Sequence, residues 1–111
     1  MDVTGKRIAI LGAGNMGLAL LKGLIDGGIA LPSNIVVRNR RPERSRAIAE
    51  QYGVRIAESN AAAVKDADIV LLSVKPQILP RVLEEIRGVA PDALYISVAA
   101  GISSERIEAT L

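Results

Sequence analysis

Short, almost purely aliphatic runs alternate along this chain with longer segments whose apolar residues recur at helical spacing. Such runs are too short for helices and too uniformly hydrophobic for strands with one face in water. They read as strands buried on both faces, which requires helices packed above and below a parallel sheet. Arg7-Ile8-Ala9-Ile10-Leu11 is the first, stopped by Gly12. A helix is expected from Asn15 to about Asp26, with Met16, Leu20, Leu21 and Leu24 on its apolar side and Gly27-Gly28 as its stop. Residues 34–38 form a second, β-branched strand. Pro42 and Glu43 open a helix to Tyr52, closed by Gly53.

Val54-Arg55-Ile56 is a short third strand, and Asn60 is expected to cap a brief helix over residues 61–65. Residues 68–74 are the most apolar strand and are expected at the centre of the sheet. A helix over about 77–87, a fifth strand over 94–99 and a last helix capped by Ser103 or Ser104 complete the series. Strands alternating with helices at this spacing imply right-handed crossovers. The expected fold is a doubly wound α/β domain, five parallel strands with helices on both faces, occupying residues 1–111 as one unit.

Half of the residues are hydrophobic, yet there is no Phe or Trp, and Tyr52 and Tyr95 are the two aromatic residues. The core must therefore be aliphatic, and stacking platforms for single-stranded nucleic acid are missing. The absence of His and Cys excludes His-based triads, thiolate nucleophiles, disulfides and the common zinc ligands. No metal site is expected. The start Met1-Asp2-Val3-Thr4-Gly5-Lys6 lacks a signal-like apolar stretch, and no apolar run is long enough to span a bilayer. These features lead us to expect a soluble, cytoplasmic chain that binds neither membrane nor nucleic acid. The net charge of +2 conceals an uneven distribution, since five of the ten arginines fall between Arg38 and Arg46.

The chemistry-bearing segment is Gly12-Ala13-Gly14-Asn15-Met16-Gly17, a G-x-G-x-x-G directly after a strand and opening a helix. Gly12 allows the tight turn, Gly14 lets the backbone approach a pyrophosphate, and Gly17 lets the helix pack on the strand. Free N–H groups and the helix dipole would hold the anion. About 20 residues on, where an NAD site places a carboxylate for the ribose hydroxyls, the chain reads Val37-Arg38-Asn39-Arg40-Arg41. A carboxylate would repel a 2′-phosphate, whereas guanidiniums bind it with charge-assisted hydrogen bonds. NADP is thus the expected cofactor, with NADPH preferred over NADH. Arg44 and Arg46 read as the solvated face of a helix. Ser73-Val74-Lys75-Pro76 and Ser97-Val98-Ala99-Ala100-Gly101 end the fourth and fifth strands with residues small enough to admit a flat ring. Lys75 reads equally as a contact to ribose or phosphate oxygens and as a surface lysine. From the residues alone Asn60 reads as a helix cap.

Together these residues resemble the N-terminal domain of the pyrroline-5-carboxylate reductases. The resemblance rests on Gly12 to Gly17, Asn39-Arg40, Asn60, Asp66-Ala67-Asp68, Val74-Lys75-Pro76-Gln77 and Ser97-Val98-Ala99-Ala100-Gly101-Ile102, and runs from about Lys6 to the last residue. It implies hydride transfer from NAD(P)H to 1-pyrroline-5-carboxylate, giving L-proline. It further implies that Leu11, Gly12, Ala13, Gly14, Asn15 and Met16 hold the pyrophosphate, and that Asn39 and Arg40 hold the adenosine-ribose end. Asn60 would lie near the adenosine. Ser73, Val74, Lys75 and Pro76 with Val98, Ala99 and Ala100 would line the nicotinamide side, and no side chain of this segment would be catalytic. Family members carry a further helical domain that builds a homo-oligomer and most of the imine and carboxylate site. The 111 residues are therefore expected to bind cofactor without turnover, with residues 94–98 as an open apolar edge. F420-dependent NADP oxidoreductases and β-hydroxyacid dehydrogenases share the glycine loop, and a non-catalytic nucleotide-sensing module would use the same fold without chemistry.

Overall fold

The structure, a computed structural model, describes residues 5–12 and 15–97, apart from the side chains of Asn15 and Met16. Strand β1 (Ile8–Leu11) leads into α1 (Asn15–Asp26). A short 3-10 turn, Pro32–Asn34, delivers β2 (Ile35–Arg38), followed by α2 (Pro42–Tyr52), β3 (Arg55–Ile56) and α3 (Asn60–Val64). Strand β4 (Ile69–Leu72), α4 (Leu79–Ile86) and β5 (Leu94–Ser97) complete the described elements. The five strands form one parallel sheet in the order β3-β2-β1-β4-β5. The expected doubly wound α/β architecture is present. The centre is β1, not β4 as its apolarity suggested. Hydrophobicity tracks burial on both faces, which β1 and β4 share, while position is set by where α3 carries the chain back across the sheet.

Alternation along the strands separates two aliphatic layers. Ala9, Leu11, Val70 and Leu72 face Val64 of α3 and Leu79, Val82, Leu83 and Ile86 of α4. Ile8, Ile10, Ile35, Val37 and Leu71 face Leu21 of α1 and Ile48 of α2. Fully burying one such side chain contributes about 1.5–3 kcal/mol, and the two layers do this without Phe or Trp.

Local chemistry sets the helix ends. Pro42 occupies the first turn of α2, where its missing N–H is no loss. Gly53 ends that helix with φ 72°, its N–H donating to the Ala49 carbonyl. The cap of α3 is Ser59, not Asn60: the Ser59 hydroxyl accepts from the Ala62 N–H at 3.0 Å. Helix α4 begins at Leu79, two residues later than the apolar pattern indicates. A start at Gln77 would carry Pro80 beyond the first turn, where a helix needs the N–H that proline lacks. The chain instead turns over residues 76–78, with the Lys75 carbonyl accepting from the N–H groups of Ile78 and Leu79 at 2.9 and 3.1 Å.

Strand β5 is the edge of the described sheet, with Leu94 53% and Ile96 41% exposed. Tyr95, between them, turns to the α4 layer and donates its hydroxyl to the Ala90 carbonyl at 2.7 Å. Burial pushes its pKa up. Residues 98–111, including the end of the expected fifth strand and the helix after Ser103 or Ser104, lie outside the described residues. Among those described, no helix is long and apolar enough to cross a membrane.

Candidate dinucleotide cleft

The register brings the carboxyl ends of four strands level, because Leu11 pairs with both Arg38 and Leu72, and Leu72 pairs with Ser97. The ladder runs one step further: the Gly12 N–H donates to the Arg38 carbonyl at 2.8 Å and the Ser73 N–H to the Leu11 carbonyl at 2.9 Å. The loops that follow therefore leave the sheet side by side. Between β1 and β4 the chain winds to opposite halves, the point at which open α/β sheets bind their ligands. A cleft of about 340 Å³ opens there.

Gly12 lies at its base with φ 76°. A Cβ at this position would sit 2.7 Å from the Ser73 carbonyl oxygen and run into the Val74 side chain. Glycine thus serves both the left-handed backbone and the close approach of the β1 and β4 loops. Ser73, Val74 and Lys75 form one wall. Leu11 is fully buried in the core, so its share in the site is confined to its backbone, whose carbonyl is taken by Ser73. Pro76 is exposed and does not line the cleft.

The opposite wall follows from the turn after β2. The Asn39 side-chain oxygen accepts from the Arg41 N–H at 2.9 Å, an Asx-type closure that holds the start of α2. The Asn39 carbonyl accepts from Arg38 Nη1 at 2.9 Å and from the Ser45 hydroxyl at 3.4 Å. So fixed, the turn lines the cleft with Arg38, Asn39, Arg40 and Arg41, and Arg44 joins them from the first turn of α2. Arg44 thus faces the cleft and is not part of a merely solvated helix face as its sequence position suggests. Arg46, two residues on, points away from that side at about 100° per residue and is exposed. Five cations thus face the cleft, Lys75 among them, and no carboxylate belongs to its described lining.

Asn60 closes the cleft from α3, its Nδ2 donating to Glu85 Oε2 on α4 at 2.7 Å. Ile78 and Val82 supply an apolar floor. Their spacing of four marks a shared helix face in the sequence, but nothing in it says that this face reaches both core and cleft. Ala13, Gly14, Val98, Ala99 and Ala100 lie outside the described residues, as do the side chains of Asn15 and Met16. Among the described residues no cluster of three or more acidic side chains could hold a metal ion. A second cavity, about 360 Å³, opens at the amino edge of the sheet, lined in part by Arg7, Arg55, Glu58 and Asp66. Its charges are mixed, and Arg7 and Asp66 approach to 3.9 Å. One-sided positive charge belongs to the carboxyl-edge cleft.

The match to known proteins runs through these segments. Residues 7–101 fit the family model described as NADP oxidoreductase, coenzyme F420-dependent. The pyrroline-5-carboxylate reductase of Escherichia coli (strain K12) is 39% identical over 107 residues, 96% of this chain and 40% of that protein. The chain belongs to the family that this model describes, and over nearly its whole length it is similar to the pyrroline-5-carboxylate reductases. Among solved structures, a pyrroline-5-carboxylate reductase from Coxiella burnetii superimposes with a TM-score of 0.86 at 34% identity, covering 96% of this chain and 40% of that one. An imine reductase from Myxococcus stipitatus in complex with NADP+ gives a TM-score of 0.73 at 26% identity, over 86% of this chain and 32% of that one. The chain spans about 40% of the length of the pyrroline-5-carboxylate reductases it matches.

Proposed function

We propose that residues 1–111 form the nicotinamide-dinucleotide-binding domain of a pyrroline-5-carboxylate reductase, with NADPH preferred over NADH. The observation that carries the reading is the cleft in which Arg38, Arg40, Arg41 and Arg44 gather beside Gly12 with no carboxylate among the described lining residues. A 2′-phosphate fits this donor set, because guanidiniums offer it paired N–H groups and no carboxylate competes. Similarity to the pyrroline-5-carboxylate reductases and the NADP+ complex of the Myxococcus enzyme support the same cofactor.

When bound, NADPH supplies the hydride that reaches the imine carbon of 1-pyrroline-5-carboxylate, with a proton taken up at nitrogen to give L-proline. The chain's own residues bind and orient. Backbone N–H groups between Leu11 and Met16, Gly12, Ala13, Gly14 and Asn15 included, hold the pyrophosphate at the start of α1. Asn39 fixes the turn that aims Arg40, Arg41 and Arg44 at the 2′-phosphate, and Asn60 meets the adenosine. Ser73, Val74 and Lys75, with Val98, Ala99 and Ala100, line the nicotinamide side, while Pro76 shapes the turn behind them without reaching the cleft. No side chain of these 111 residues is assigned a proton-transfer role. The substrate-binding groups and the homo-oligomer contacts belong to the remainder of the reductase, so the 111-residue chain binds cofactor without turnover.

Calorimetric titration with NADPH and NADH tests the phosphate assignment. Arg40→Asp is expected to weaken NADPH by roughly 10- to 100-fold, the equivalent of one charge-assisted contact, while NADH changes little. Equal losses for both would overturn it. Steady-state oxidation of NADPH with 1-pyrroline-5-carboxylate tests the second part, and appreciable turnover by the 111-residue chain would refute it. The family model favours one other reading, an NADP oxidoreductase that works with coenzyme F420. Reduction of F420 by NADPH, with no reduction of the imine, in a protein carrying this domain would select it.

A further inference from the structure

Asn60 and Glu85 lie 25 residues apart and on different helices, yet the Asn60 Nδ2 donates to Glu85 Oε2 at 2.7 Å. Ser59 makes this contact possible: by capping α3 itself it leaves the Asn60 amide unused by the helix backbone. The other Glu85 oxygen faces Arg81 Nε at 3.8 Å, an i,i+4 pair along α4. The carboxylate is therefore steadied by its own helix while presenting one oxygen to Asn60. Exposed contacts of this kind add little to stability, so stability does not account for the arrangement. Its geometric effect is specific. A carboxylate accepts and does not donate, so the atom of Asn60 that turns to α4 must be the amide nitrogen. The amide oxygen is then the acceptor left to the cleft that Asn60 lines.

We infer that Glu85 is a positioning residue that orients the Asn60 amide, so that its Oδ1 accepts a hydrogen bond from a donor on the adenosine end of the cofactor. The inference rests on the dinucleotide reading above and extends it to a residue outside the cleft lining. The donor is either the exocyclic amine of adenine or a ribose hydroxyl, the two groups of that half that carry a suitable hydrogen. Alanine at position 85 would free the amide to rotate and present either end. Glutamine would keep an accepting oxygen within reach of the Asn60 nitrogen.

The test is a fluorescence titration with NADPH, whose signal is undisturbed because the chain has no Trp. Adenosine 2′,5′-bisphosphate and its inosine counterpart serve as competitors, and thermal unfolding is followed alongside. Glu85→Ala is expected to weaken NADPH roughly 2- to 10-fold, the range of one net hydrogen bond, with the unfolding midpoint unchanged. Glu85→Gln should restore most of the affinity, and the Asn60→Ala/Glu85→Ala pair should bind no worse than Asn60→Ala alone. If the wild-type preference for adenosine over inosine collapses in Glu85→Ala, the donor is the adenine amine; if it persists while NADPH is weakened, the donor is a ribose hydroxyl. Wild-type affinity in Glu85→Ala, or additive losses in the double variant, would overturn the inference and leave the dinucleotide reading standing. A wild-type chain that binds no NADPH would overturn both.

Discussion

Gly12, Asn39 and Tyr95 each act through one local contact. At Gly12 the positive φ and the 2.7 Å approach of a hypothetical Cβ to the Ser73 carbonyl act together. Gly12→Ala is expected to cost roughly 1–3 kcal/mol and to displace the β4 loop that forms a cleft wall. Thermal unfolding followed by circular dichroism should show the midpoint fall, and NADPH titration should show weaker binding in the same variant. Asn39 spends its side-chain oxygen on the turn before α2, which holds the backbone that carries Arg40 and Arg41. Tyr95 couples the fold to alkaline pH. The ring is partly buried and its pKa raised by desolvation, so the unfolded chain ionises first, near the ordinary value of about 10. Its contribution is complete below that pH and is lost as pH rises through the folded value. Urea unfolding between about pH 9 and 11 should show this loss in the wild type and a flatter profile in Tyr95→Phe.

Among the elements, those whose residues do one job are legible and those whose residues do two are not. The bounds of α1 and α2 follow from sequence because glycines end both and Pro42 opens α2. Asn60 misleads because Ser59 and Asn60 are both good caps, and only the meeting of α3 with α4 decides which one is free for another partner. Arg44 misleads in the same way, since a first-turn arginine belongs to the solvent or to a ligand depending on where the helix starts relative to the sheet. Strand β5 shows the opposite case. Its apolar residues are plain in the sequence, and Leu94 and Ile96 emerge exposed on the side away from α4. An exposed apolar edge is a template for pairing with another chain, and lysines on such an edge suppress it. Leu94→Lys with Ile96→Lys should reduce self-association in light scattering over a concentration series, with the unfolding midpoint nearly unchanged. A drop in that midpoint comparable to a core truncation would show instead that this face is packed in solution.

At the scale of the whole molecule the charge distribution matters more than its sum. A net charge of +2 would give a weak general field, but the winding of the sheet gathers Arg38, Arg40, Arg41, Arg44 and Lys75 at one cleft. Salt screens such a cluster, the Debye length shrinking from roughly 10 Å at 0.1 M to 3 Å at 1 M. Raising potassium chloride from about 0.05 to 0.5 M should therefore weaken NADPH several-fold more than NADH, as read by calorimetry. Equal salt slopes for the two nucleotides would remove the arginines from the phosphate.

The sequence by itself determined the element series over the described residues, the aliphatic two-faced sheet and the glycine turn that opens α1. Each of these rests on a periodicity or a backbone preference that a few adjacent residues express. Tertiary structure alone decided that β1 rather than β4 is central, that Arg44, Ile78 before α4 and Val82 within it reach the cleft, and that Asn60 answers to Glu85. Those outcomes depend on strand order and on helix axes meeting across the sheet, contacts between residues tens of positions apart that no local pattern encodes.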